Sequence, residues 1–269
     1  MRRAHQFGFD GAHGAPYAWP LETMDKLIYT AMTGARSTLE QQGAVAQNLA
    51  NVSTTGYRSE EHRLRAVPVI SEALPTRAFV TDASVATDFA PGPVMQTGRA
   101  LDVAVQGQGW IAVQTPDGGE AYTRNGNFST SAEGGLQTKT GLPVLGEGGP
   151  IAIPPDNRIS VGQDGTITAT PASGAVNTAT VVARIKLVNP PEQDLVRGDD
   201  GLFRLKAGDV AEVDASVVAA GGYLEGSNVN TADQMVRMIS LARQFEMQTR
   251  MIQTAQSNDQ SAQQLLADK

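Results

Sequence analysis

Side chains able to do chemistry are few and scattered along this sequence. There are three histidines and no cysteine. His5 and His13 fall near the start, and His62 has no His or Cys at metal-ligand spacing, so a zinc-type site has no ligand set. Asp199-Asp200 could suggest paired carboxylates for glycan hydrolysis, but two acids directly before Gly201 read better as a solvated turn. Gly107-Gln108-Gly109 lacks the third glycine of a dinucleotide fingerprint, and neither a phosphate loop nor a nucleophile-elbow serine occurs. Arg197-Gly198-Asp199 spells a short adhesion tripeptide, too brief to carry weight. The residues therefore predict a protein with no catalytic, metal or cofactor site.

Composition narrows the remaining classes. The chain has 269 residues, a formal net charge of −7, 41% hydrophobic and 18% charged residues. That is enough apolar residue for one or two packed domains. Aromatics are only 5%, against 28 Gly and 14 Pro, a mix that suits short strands and many turns. The acidic balance argues against nucleic acid, which needs a basic stripe to displace counterions. No run of 18 apolar residues is present, so no membrane insertion is expected.

The two ends carry helical periodicity. Ile28, Met32, Ala35, Leu39, Ala46 and Leu49 step by three and four, with Gln42 as a polar intruder. This is a heptad seam of the a/d kind. The helix should stop between Asn51 and Gly56, where Thr and Ser weaken it and glycine can take positive φ. At the other end Asn230 can cap a helix whose seam is Met235, Met238, Ala242, Phe245, Thr249 and Ile252. One narrow stripe per helix can meet either the chain's own core or a neighbouring molecule. An isolated helix of this kind is marginal in water, so both ends are expected to be largely disordered in a free monomer and to order on assembly.

Between them the sequence reads as strands and turns. Leu101, Val103 and Val105 alternate, and Trp110 to Val113 resume after two glycines. Asn125-Gly126, Asp164-Gly165 and Asp200-Gly201 are hairpin-turn dipeptides. The expected fold is mainly β with terminal α-helices: a compact antiparallel β domain flanked by helices that pair in coiled-coil fashion on assembly. The expected divisions are an unstructured leader 1–23, with Met24 as the native start; an N-terminal helix and turn 24–56; an extended linker 57–93; a β domain 94–213; a return linker 214–229; and a C-terminal helix 230–269. Acidic and basic residues cancel in 1–23, 25–56 and 228–269, so the whole −7 lies in the middle. Neutral ends can crowd together without self-repulsion while the acidic domain stays solvated.

The segment Ala46-Gln47-Asn48-Leu49-Ala50-Asn51-Val52-Ser53-Thr54-Thr55-Gly56-Tyr57-Arg58 resembles the N-terminal signature of the flagellar basal-body rod and hook family. Leu224-Glu225-Gly226-Ser227-Asn228-Val229-Asn230 resembles its C-terminal signature, and Thr97 to Trp110 its central motif. Tyr122 to Phe128 and Gly141 to Gly146 continue the likeness, which covers nearly all of 24–269. The opening Met24 to Ala35 is most like the proximal-rod branch, with the distal-rod branch the nearest alternative.

The resemblance implies a structural subunit rather than an enzyme. It implies export through the flagellar type III apparatus without a cleaved signal, and assembly with other rod proteins and copies of itself in the periplasmic rod. The terminal helices would form the inner layer, through Ile28, Met32, Ala35, Leu39, Ala46, Leu49, Met235, Met238, Ala242, Phe245 and Ile252. Asn48, Asn51, Gly56, Tyr57 and Asn228 would fix the turns, with Asn48 and Asn51 shared between bonds inside the chain and bonds between subunits. A secreted adhesion or glycan-binding module would explain the β middle but leave both terminal signatures idle.

Overall fold

The computed structural model describes residues 22–68, 78–155, 157–171, 179–206 and 208–267. The chain is mostly β, bracketed by two long helices, α1 (Glu22–Ala50) and α2 (Thr231–Ala267). The leader expected over 1–23 lies outside the described residues except for Glu22 and Thr23, which open α1.

The two helices pack against each other within the one chain. A stripe of buried and half-buried residues on α1 runs Ala31, Gly34, Thr38, Gln41, Val45 and Asn48, of which Gly34 and Thr38 meet Gln248 of α2. It keeps the three-four period of the expected seam but sits one residue earlier at every position. Gly34 and Thr38 are small, so the axes can approach closely there, which bulky Met32 and Leu39 would prevent. Thr38 Oγ1 donates to Gln248 Oε1 at 3.1 Å across the pair, and a Cβ on Gly34 would lie 3.0 Å from Gln248 Nε2. On α2 the inward stripe is Gln234, Met238, Leu241, Phe245, Gln248, Ile252 and Ala255. Met238, Phe245 and Ile252 were expected there, whereas Met235 and Ala242 are exposed. In this structure the ends are thus helical and partnered, the pairing supplying burial that a lone helix lacks.

Residues 57–93 are more than an extended linker. They contain β1 (Glu60–Pro68) and β2 (Ala78–Thr87), an antiparallel hairpin that packs along α1. Pro68 closes β1 and does not interrupt it, a position where its missing N–H is harmless.

Three strands follow in the central motif region: β3 (Val94–Gln96), β4 (Val103–Gln106) and β5 (Trp110–Gln114), then β6 (Glu120–Thr123). A five-stranded sheet runs Leu187–Val188, β5, β6, Phe203–Leu205, Leu195–Arg197. Alternation on β5 buries both faces: Ile111 and Val113 enter one core with Val105, Phe128 and Ile185, while Trp110 and Ala112 enter a second with Tyr122 and Phe203. The Asp164-Gly165 and Asp200-Gly201 hairpins form as expected, with positive φ at both glycines. Asn125-Gly126 does not make a hairpin. Its flanking strands pair elsewhere because Gly126 lies against Val103, whose N–H it bonds at 3.0 Å.

The return segment 214–229 is likewise not a linker. Val218–Gly221 pairs with β4 and Tyr223–Glu225 with β3, and Val217 and Ala219 belong to the main core.

Candidate assembly site

The two terminal signatures meet at one buried junction between the helix pair and the β domain. It begins at the end of α1. Asn48 is 1% exposed, and its amide bonds both polar groups of Glu60: Nδ2 donates to the carbonyl and Oδ1 accepts from the N–H, each at 2.9 Å. The Tyr57 hydroxyl donates to the same Oδ1 at 3.1 Å. Asn51 is more peripheral; its Nδ2 caps Gln47 O at 2.9 Å and its Oδ1 accepts from Thr54 Oγ1 at 3.1 Å.

The turn then needs a glycine. Gly56 has φ +69°, and a Cβ there would sit 2.4 Å from the Arg124 carbonyl carbon. Both the left-handed backbone and the close approach exclude a side chain. Its N–H donates to Glu225 O at 2.8 Å, tying the N-terminal signature to the C-terminal one.

Asn228 repeats the device from the other side. Its Oδ1 accepts from Ser59 N–H at 2.7 Å, and its Nδ2 donates to the carbonyls of Asp88 and Ala90 at 2.9 and 3.1 Å. One amide thus joins three chain segments before α2 starts. Asn230 caps α2 as its sequence position suggested, accepting from Ala232 N–H at 3.0 Å.

At the centre lies a charged cluster that pattern reading passed over. Arg58 Nη2 is 2.7 Å from Glu225 Oε1, and Arg124 Nη1 is 3.0 Å from Glu225 Oε2. None of the three side chains is more than 4% exposed. Arg124 also donates to the carbonyls of Val105 and Gly107 and lies over the Trp110 ring. Burial pulls its pKa below the ordinary arginine value, and the Glu225 carboxylate opposes that shift. Arg197 seals the edge, lying over the Tyr57 ring and pairing with Glu60 at 2.9 Å. Arg58 and Glu225 both stand inside the quoted signatures. Their types were legible, but the pairing of residues so far apart in sequence was not.

Outside the junction, the expected seam splits. Asn48, Tyr57 and Asn228 are brought together, while Met32, Leu39 and Met235 are at least half exposed. Tyr29, Val236, Ile239, Met247 and Met251 are also exposed. Ile28, Ala35 and Leu49 are half-buried and Ala46 is exposed. The helix pair so carries apolar residues on its outer surface as well as on its inner seam. Among the described residues, no group of acids and histidines is arranged to hold a metal.

Three segments of the chain match family models. Residues 28–58 match "Flagella basal body rod protein", 104–169 match "Flagellar hook protein FlgE/F/G D1 domain", and 220–265 match "Flagellar basal body rod FlgEFG protein C-terminal". The flagellar basal-body rod protein FlgF of Escherichia coli K12 is 47% identical over 250 residues, covering 91% of this chain and 99% of that protein. This chain belongs to the flagellar basal-body rod protein family. The FlgF of Salmonella typhimurium LT2 is 46% identical over 250 residues, again 91% of this chain and 99% of that protein. The flagellar basal-body rod protein FlgG of Buchnera aphidicola is 28% identical over 265 residues, covering 88% of this chain and 98% of that protein. As a member of this rod family the chain is a structural protein and not an enzyme.

Proposed function

We propose that this chain is a structural subunit of the proximal flagellar rod, and that it assembles with copies of itself and with other rod proteins through the outer surface of its helix pair. Proximal identity is supported by the higher identity to FlgF than to FlgG relatives. The observation that carries the assembly reading is the exposure of Met32 at 53% and Leu39 at 50% on α1, with Met235 at 54% and Ile239 at 56% on α2. Apolar side chains spaced along long helices are where a neighbouring helix gains burial.

In this reading Ile28, Met32, Ala35, Leu39 and Ala46 pack between subunits, in coiled-coil fashion, while the seam one residue earlier holds the monomer. Met235 and Ala242 take the same part on α2, and Met238, Phe245 and Ile252 serve the inner seam. The β domain, which carries the net negative charge, stays outside and solvated. The chain travels through the flagellar type III export apparatus and acts in the periplasmic rod, transmitting torque. No helix among the described residues is long and apolar enough to cross a membrane. Electron microscopy of basal bodies from a deletion strain tests the function: rods should be lost beyond their proximal part, and intact rods would remove the reading. Photo-cross-linking from position 39 tests the surface, with capture of another rod subunit expected.

A further inference from the structure

The charged junction has one cation too many. Arg58 and Arg124 share the single carboxylate of Glu225. At the edge, Arg197 and Glu60 pair with each other at 2.9 Å, and the further acid that acts on Arg124, Glu192, is exposed to solvent. Among the described residues, Nε and Nη1 of Arg58 and Nε of Arg124 have no hydrogen-bond partner, although all are buried. Even the Arg58 contact to Glu225 is an ion pair without hydrogen-bond geometry. Desolvating a guanidinium is costly, and half a shared carboxylate does not offset it.

Position makes that surplus matter. Arg58 ends the turn after α1, Arg124 belongs to the β domain, and Glu225 precedes the entry to α2. Three bonds lie at or beside Glu225: Gly56 N–H to the Glu225 carbonyl at 2.8 Å ties the turn after α1 to the strand Tyr223–Glu225, while Gly92 N–H to Glu225 Oε1 at 2.9 Å and Gly226 N–H to Pro93 O at 2.8 Å hold the segments that leave the domain towards the hairpin and α2. By contrast, the domain itself is closed by two apolar cores on opposite faces of one sheet.

We propose that the Arg58–Glu225–Arg124 cluster is a built-in release point, at which one surplus buried cation holds the junction below its attainable stability, so that the helix pair and hairpin come away from the β domain as a unit while the domain stays folded. Arg58 is in this account a destabilising residue. An apolar side chain of its length would hold the junction more firmly, since replacing a buried charge by a packed apolar group removes its desolvation cost. The device belongs to the single chain and does not rest on the assembly reading.

Native-state hydrogen exchange on the full-length monomer tests it, comparing Gly56, Gly92 and Gly226 with core amides such as Val113 and Leu136. In the wild type the three junction amides should exchange together and faster than the core. Arg58→Met should slow them by roughly tenfold, leaving the core unchanged. Glu225→Gln should speed them, because two cations then lack a counter-charge. Junction amides as slow as the core in the wild type would overturn the proposal. So would Arg58→Met exchange that is unchanged or faster, which would make Arg58 an ordinary stabilising partner. If Glu225→Gln fails to fold, the wild-type and Arg58→Met measurements decide alone.

Discussion

Asn48 pairs with Glu60 as a neighbouring strand would, giving one donor and one acceptor to the same residue's backbone, each at 2.9 Å. A helix end thereby substitutes for a missing sheet neighbour at the start of β1. Asn48→Ala leaves both Glu60 groups and the Tyr57 hydroxyl short of a partner in a buried place. We expect a loss of about 2–4 kcal/mol, from the usual cost of unsatisfied buried groups. Asn48→Asp keeps the acceptor but loses the donor and should retain part of that stability. Urea unfolding followed by far-UV circular dichroism measures both.

Asn228 and Asn51 should differ. Asn228 joins Ser59, Asp88 and Ala90, whereas Asn51 bonds only within its own turn. Asn228→Ala should therefore cost about 1–3 kcal/mol, and Asn51→Ala about 1 kcal/mol or less. Asn51→Ala should impair rod assembly more than folding of the β domain. A swarming assay beside the same unfolding curves separates these effects; unchanged motility would count against a role for Asn51 between subunits.

Surface and seam of the helix pair should respond in opposite ways. Met32→Ser with Leu39→Ser changes exposed side chains, so monomer stability should move by no more than about 0.5 kcal/mol per site. Rod assembly should nonetheless fall sharply. Thr38→Leu puts bulk into the inner seam, where Thr38 meets Gln248 at 3.1 Å. It should destabilise the pair by about 1–3 kcal/mol. Thermal melts of purified chain and basal-body yield give the two readings. Equal assembly by the Met32 and Leu39 variant would remove the proposed surface.

Tyr122 sets an alkaline limit. Burial raises its pKa to about 12, an effect partly opposed by the bond from Ala211 N–H and helped by the charge of Glu120. The folded chain therefore holds the neutral phenol more tightly than the unfolded chain, whose tyrosine titrates near about 10. Stability from this group is complete below about pH 10 and is lost as pH rises towards about 12. Tyr122→Phe should flatten that decline. At neutral pH it should cost about 1–3 kcal/mol by orphaning the Ala211 N–H, which the hydroxyl accepts at 2.7 Å. Denaturation midpoints across the alkaline range test the sign.

The free monomer also bears on how firmly its ends are held. A sequence with one thin stripe per helix predicts weak protection across residues 30–50, whereas the paired helices bury Ala31, Thr38 and Val45. Hydrogen exchange across this segment reads the balance directly, and strong protection there would exclude disordered ends.

Local pattern was enough for much of this protein. The three-four period gave both helices, and Asn230 gave the cap of α2. Asp164-Gly165 and Asp200-Gly201 gave two hairpins, because a glycine at positive φ after a short acid is a local preference. The signatures from Asn48 to Arg58 and from Leu224 to Asn230 gave the family, and with it the absence of catalytic chemistry. What only the tertiary structure decided were choices between partners. Period fixes that a helix has a stripe but not which of two adjacent stripes faces its neighbour; close approach over Gly34 and Thr38 chose the seam one residue early. A turn dipeptide does not say which strands pair, so Asn125-Gly126 went to Val103 instead of forming a hairpin. The meeting of Arg58 with Glu225 depends on the chain returning after the whole β domain, and no spacing in the sequence encodes a contact made by that return.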